Sequence, residues 1–229
     1  YLMQFLKSQF INIQKFLRIS KKKSVSLASK KQNELLKQMK DAFPSKLHQN
    51  IDNIFLEFDI ISDHFHEDSE IFYTDNNELL IPTRIYINDD ILKFEAINPQ
   101  MKRILFCYFT RHHNGYTRQY CLKEIIKSNY ILDYEIPYIF RLSGEYVVEI
   151  LYDIVEITKL IPYEVINKYV SRNISTLKTM ERRMISYWSE YYRYGASGLK
   201  YNPSFIKWEN YPAHDILAFL KKHGYESNR

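Results

Sequence analysis

Apolar residues recur every three or four positions over most of this chain, a spacing that puts them on one face of an α-helix. Leu2, Phe5, Leu6, Ile13, Phe16 and Leu17 mark an amphipathic helix over residues 2–19. Residues 20–31 (SKKKSVSLASKK) lose the pattern and read as a basic linker or frayed helix. The spacing returns at Leu35, Leu36, Met39 and Phe43 and stops at Pro44. Leu47, Ile51, Ile54, Phe55, Phe58 and Ile61 predict a third helix. Residues 69–88 then change character. Ile71, Phe72 and Tyr73 precede the turn cluster Asp75-Asn76-Asn77, and a β-forming run follows to Ile87. A short β-hairpin or extended arm is expected near 70–88, with Pro82 at an edge because it lacks a ladder donor.

Asn98-Pro99 supplies an N-cap and a proline at the first helical position, so the next helix starts there. Ile104, Leu105, Tyr108 and Phe109 give its apolar face, and Arg111, His112 and His113 are expected in its last turn, with Asn114-Gly115 closing it. Pro137 opens a longer pattern through Ile139, Leu142, Tyr146, Ile150, Ile154 and Ile157, which Pro162 ends. Further helices are expected at 163–172, 176–194 and 213–223, the last closing on Lys221-Lys222-His223-Gly224.

The stretch from Asn114 to Ile125 (NGYTRQYCLKEI) resembles the second helix of a HEAT-type repeat. Asn114 takes the place of the cap, Thr117-Arg118 that of the Val-Arg pair, Cys121 that of the small residue, and Ile125 that of the later aliphatic one. Thr117 and Cys121 depart from the usual Val and Ala. The resemblance covers about residues 98–160. It implies a helix pair that builds a binding surface, with Asn114 and Arg118 in structural roles. RHHNGY and YWSEYYR are also similar to segments of uncharacterised bacterial proteins, which implies no chemistry. The fold class expected is all-α: an irregular, HEAT-like array of antiparallel helices with one β excursion. A basic helical arm (1–40) is expected to precede a single helical domain (41–229).

Composition narrows this picture. The 229 residues include 45% hydrophobic and 16% aromatic side chains, enough for a sizeable core. Five Gly and seven Pro are too few for a turn-rich β sandwich or a Rossmann-type fold. The two cysteines, Cys107 and Cys121, sit among apolar neighbours, so buried reduced thiols and a cytoplasmic location are expected. No run of 18 apolar residues occurs, so no transmembrane segment is expected, and residues 1–19 lack a signal-peptide cleavage pattern. Charge is uneven: +9 over residues 1–40, −10 over 41–100 and +6 over 101–229.

Candidate chemistry is sparse. His64-Phe65-His66-Glu67-Asp68 packs metal-capable side chains together but reads first as a polar loop, and His112-His113 point apart on a helix. GxSxG, P-loop, HExxH and GxGxxG motifs are all missing, so neither an enzyme nor a cofactor is expected. Glu145, Glu149, Asp153 and Glu156 form an acidic stripe on one predicted helix, with Arg141 able to pair with Glu145. That stripe is a candidate docking face for a protein partner. Residues 168–207 carry a local charge of +6 with interleaved Tyr187, Trp188, Tyr191, Tyr192 and Tyr194. Leu177, Met180, Met184, Trp188 and Tyr191 share a stripe that reads as core. Arg182, Arg183 and Arg193 lie off it and are candidate nucleic-acid contacts. The helix over 2–19 and its KKK cluster also fit an anionic membrane surface.

The function expected is therefore a non-enzymatic helical interaction protein that binds another macromolecule. A bacterial immunity or defence-associated protein, which covers a partner's site, is one form of it. Nucleic-acid binding through the basic 168–207 region is the alternative.

Overall fold

The computed structural model describes residues 30–58, 60, 62–64, 68–74, 76–93, 97–193 and 206–226. The expectations for the helix over 2–19, for the linker up to residue 29, and for Ile61, Phe65, His66, Glu67, Asp75 and Tyr194 lie outside them. The chain is mainly α-helical.

Helix α1 (Lys30–Asp41) buries Leu35 and Met39, one turn apart. It is tied down where its end meets the core: the Tyr108 hydroxyl donates to Gln38 Oε1 at 2.9 Å, and the Tyr138 hydroxyl to the Ala42 carbonyl at 2.7 Å. Helix α2 (His48–Glu57) buries Ile51 and Ile54 and ends before Phe58, which the sequence placed in the helix. Phe58 already has extended backbone, φ −122° and ψ 139°. The chain must straighten there to enter β1 (Ser62–His64), which pairs antiparallel with β4 (Tyr86–Ile87).

Strands β2 (Ser69–Tyr73) and β3 (Glu78–Pro82) form the expected hairpin, in register from Ser69 opposite Pro82 to Tyr73 opposite Glu78. Among the described residues the strands make two separate two-stranded sheets. Alternation along β2 buries Phe72 and turns Ile71 and Tyr73 outward. The same period of two sends Glu70 toward the helices. Pro82 ends β3, so its missing N–H costs the ladder nothing further along.

Helix α3 (Pro99–Phe109) starts as the sequence predicts, with Asn98 Oδ1 accepting from the Gln100 amide at 2.9 Å. It ends at Phe109, before the histidines. Asn114-Gly115 therefore does not close this helix; it opens α4 (Gly115–Ile126), and Asn114 Oδ1 accepts from the Tyr116 amide at 3.0 Å. The long helix expected from Pro137 is two helices, α5 (Ile136–Leu142) and α6 (Val148–Thr158). The break falls at Ser143–Val147, where Gly144 lies so close to the following layer that an added Cβ would meet Met180 Sδ at 2.8 Å. Helix α7 (Tyr163–Arg172) follows Pro162, and α8 (Ile174–Tyr187) runs into one π turn, Trp188–Tyr192, closed by the Arg193 amide on the Trp188 carbonyl at 2.9 Å. Helix α9 (Pro212–Lys222) ends at Gly224, whose φ of +90° suits glycine.

Buried apolar side chains form one cluster that draws on every described helix, from Leu35 in α1 to Leu220 in α9. The hairpin is fastened to it by Asn173, which is 2% exposed. Its Oδ1 accepts from the Tyr73 amide at 2.9 Å and its Nδ2 donates to the Tyr73 carbonyl at 2.8 Å, as a neighbouring strand would.

Candidate functional site

The break between α5 and α6 places Glu145 in the interior, where three arginines from three segments reach it. Arg84, just past β3, donates both terminal nitrogens to the two carboxylate oxygens at 2.8 Å. Arg111, after α3, reaches Oε1 at 3.5 Å, and Arg118, in the first turn of α4, reaches Oε2 at 3.5 Å. Burial alone would raise the Glu145 carboxyl. The Arg84 hydrogen bonds and the charges of Arg111, Arg84 and Arg118 outweigh it and hold the group down at about 2. Burial, then the Arg141 charge, pulls the Arg111 guanidinium down to about 9 against the attraction of Glu145, and it stays charged at neutral pH.

The turn between α3 and α4 is built to carry these arginines. Its backbone pairs with Ile85: the Ile85 amide donates to the Arg111 carbonyl at 2.9 Å and the His113 amide to the Ile85 carbonyl at 3.0 Å. Arg111 also donates to the carbonyls of Pro82, Thr110 and Thr83. Arg118 Nη1 donates to the carbonyls of His112 and His113 at 2.8 and 2.9 Å. His112 is 3% exposed and fully used. Its Nε2–H donates to the Ile87 carbonyl at 2.8 Å and its Nδ1 accepts from the Asn114 amide at 3.2 Å, which fixes a neutral imidazole. The pair Arg111-His112, expected from the sequence in the last turn of α3, lies beyond its end at Phe109 and is buried.

A second carboxylate completes the cluster. Glu70, turned inward by the β2 alternation, pairs with Arg141 of α5 and with Arg183 of α8, the latter at 3.2 Å. Arg141 therefore pairs with Glu70, not with Glu145 as the helical spacing suggested.

The acidic stripe is divided accordingly. Glu145 is 3% exposed and belongs to the arginine cluster, because it lies in the break and not on the helix. Glu149, Asp153 and Glu156 remain together on α6. Glu149 and Glu156 are exposed, and Asp153 accepts from Gln119 Nε2 at 3.2 Å. The three basic candidates are not brought together as one patch. Arg182 is exposed and bonds along its own helix to the Lys178 carbonyl and Thr179. Arg183 is committed to Glu70, and the Arg193 guanidinium lies 5.6 Å over the Trp188 ring. Met180 and Met184 are buried and Trp188 and Tyr191 half-buried against the core.

Cys107 and Cys121 are buried free thiols, and burial pushes both well above the ordinary thiol range, so neither is a ready thiolate. Among the described residues no group of three His, Cys, Asp or Glu side chains has the arrangement of a metal site. No helix there is long and apolar enough to cross a membrane. A separate cleft of about 620 Å³ lies between α3 and the turn after α4, over Phe106, Ile125 and Leu132. Its Arg103 is already tied to Glu135 and the Tyr130 carbonyl.

No known protein-family model matches this chain, and no curated protein or solved structure is similar to it. The residues that sequence reasoning missed are Arg84 and Glu70, while Arg141 was named with a different partner. Glu70 had a signal in its alternation with Phe72. Arg84 had none, since its partner lies 61 residues away.

Proposed function

We propose that this chain is a non-enzymatic helical protein that binds a protein partner through the outward face of α6. One observation carries the reading. Glu149, Tyr152 and Glu156 fall at i, i+3 and i+7 on that helix, and all three are exposed, Tyr152 by 52%. A half-exposed tyrosine flanked by carboxylates offers a large, stiff contact surface and a charge that steers a basic partner. Further support comes from the Glu145 cluster. Its carboxylate is saturated by guanidiniums, so it acts as a clamp that holds α6 against the hairpin and the α3–α4 pair. That pair, capped by Asn114 and braced by Arg118, is the part of the chain that resembles a HEAT-type unit. Covering a basic surface on a partner, as an immunity protein would, is a function this face could serve.

Photo-crosslinking tests it. A benzoylphenylalanine at position 152 should give a discrete adduct in lysate of the native host. The same group at the exposed Tyr163 should not, and adding Glu149→Lys and Glu156→Lys should remove the adduct without lowering the melting temperature. Equal adducts at 152 and 163 would defeat the proposal.

A further inference from the structure

Five guanidiniums and two carboxylates meet at the base of the hairpin: Arg84, Arg111 and Arg118 on Glu145, Arg141 and Arg183 on Glu70. That leaves three positive charges in excess in a largely buried cluster. Arg111 and Arg118 place nitrogens on backbone carbonyls. Arg141 does not. Its side chain is 8% exposed, its Nε pairs with Glu70 Oε2, and its Nη1 lies 4.0 Å from the sulfur of Met180. Its charge is met by one carboxylate that it shares with a second arginine, so a further oxygen acceptor there would be favourable. Arg183 stands beside it, 35% exposed, with Nη1 also on the Met180 sulfur at 4.0 Å. Both side chains reach Gly144: Arg183 Cδ and Arg141 Nη1 lie 3.2 and 3.7 Å from where its Cβ would be. An oxyanion entering beside Arg183 would meet two guanidiniums that share the single carboxylate of Glu70.

Aromatic rings continue from this point. Tyr187 lies one turn beyond Arg183 on α8, and Tyr191 follows in the π turn, their rings 6.1 Å apart and 28° from parallel. Tyr146, adjacent to Glu145 and 52% exposed, stands 6.2 Å from each. Its backbone is held by the Tyr192 hydroxyl, which donates to the Tyr146 carbonyl at 3.0 Å.

We infer that this track binds single-stranded nucleic acid, with a backbone phosphate on Arg183 and Arg141 and neighbouring bases against Tyr146, Tyr187 and Tyr191. Guanidiniums beside a run of aromatic faces are what an unpaired strand needs, since its phosphates and its bases are both free. A duplex hides its base faces and gains only the charge. The basic end of the chain thus contributes through Arg183, not through Arg182 or Arg193.

Fluorescence anisotropy decides it, with a labelled oligothymidylate of about ten nucleotides, the scale of one single-strand site, and a duplex of equal length. The unaltered chain should bind the single strand at micromolar or tighter affinity in about 100 mM salt and the duplex more weakly. Arg183→Gln should weaken binding and flatten the salt slope by about 0.7, one phosphate contact. Arg183→Lys should restore the slope. Tyr146→Ala should weaken binding at least about fivefold, one stacked base. The double substitution Arg182→Gln with Arg193→Gln should cost less than Arg183→Gln alone. Melting temperatures accompany each variant, and the exposed Tyr146 carries the test should Arg183→Gln unfold. Failure of the unaltered chain to bind, equal binding of the duplex, or indifference to both Arg183→Gln and Tyr146→Ala would overturn the inference. So would a phosphopeptide that binds more tightly than the strand and displaces it.

Discussion

Arg84 and Glu145 lie 61 residues apart and meet fork to fork, each terminal nitrogen on its own carboxylate oxygen at 2.8 Å. Two parallel charged hydrogen bonds fix direction as well as distance, and lysine cannot reproduce them. Arg84 is 30% exposed, so solvent screens part of the attraction. Arg84→Lys is expected to lower stability by about 1 kcal/mol, read from the urea midpoint. An unchanged midpoint would show that the fork contributes nothing beyond charge.

Glu145 also sets an acid limit. Its folded carboxyl titrates at about 2, below the ordinary 4.5. Between those values the unfolded chain binds the extra proton, so stability rises with pH there. The contribution is complete above about 4.5 and disappears as pH falls through 2. Its size is on the order of 3 kcal/mol. Urea melts from pH 6 to pH 2 should show the unaltered chain losing more stability than Glu145→Gln does; parallel losses would remove Glu145 as the cause.

Gly144 is a packing requirement. A Cβ there meets Met180 Sδ at 2.8 Å and Arg183 Cδ at 3.2 Å. Methionine is flexible, so part of the clash can relax. Gly144→Ala should cost about 1–3 kcal/mol, and pairing it with Met180→Ala should cost less than the two single effects added. Strict additivity in a double-mutant cycle would refute the contact.

Much of the fold was legible because its signals are local. The Asn98-Pro99 cap, the β2–β3 hairpin, Pro162 and the Lys-Lys-His-Gly ending depend on residues close together in sequence, and each falls where the spacing placed it. The break at Gly144 was not legible. Ile139, Leu142, Tyr146 and Ile150 keep a helical interval across it, and only the approach of Met180 from α8 reveals why the helix stops. The site suffered most from this. An acidic stripe drawn through a continuous helix includes Glu145, whereas the observed break hands Glu145 to arginines from distant segments. Charge patterns name the residues but not their partners, and every partner in the cluster is long-range.

Asn173 makes a similar long-range contact, and a small change should expose it. In Asn173→Asp the donor to the Tyr73 and Tyr169 carbonyls becomes a second carboxylate oxygen. Two buried acceptors then lose their partner and face like charge, at a cost of roughly 2–4 kcal/mol. Hydrogen exchange at the β2–β3 amides should accelerate more than exchange in α3. Uniform acceleration would mean that the hairpin is not the part Asn173 holds.

The central claim is that Glu145 is a buried clamp while Glu149, one helical turn away in sequence, is surface. Urea denaturation of Glu145→Gln and Glu149→Gln, side by side at pH 7, tests it most directly. Glu145→Gln should lose roughly 3–5 kcal/mol, the usual effect of stranding buried partner charges, and Glu149→Gln should stay within about 0.5 kcal/mol of the unaltered chain. Equal stability of the two variants, or a larger loss at position 149, would contradict the account.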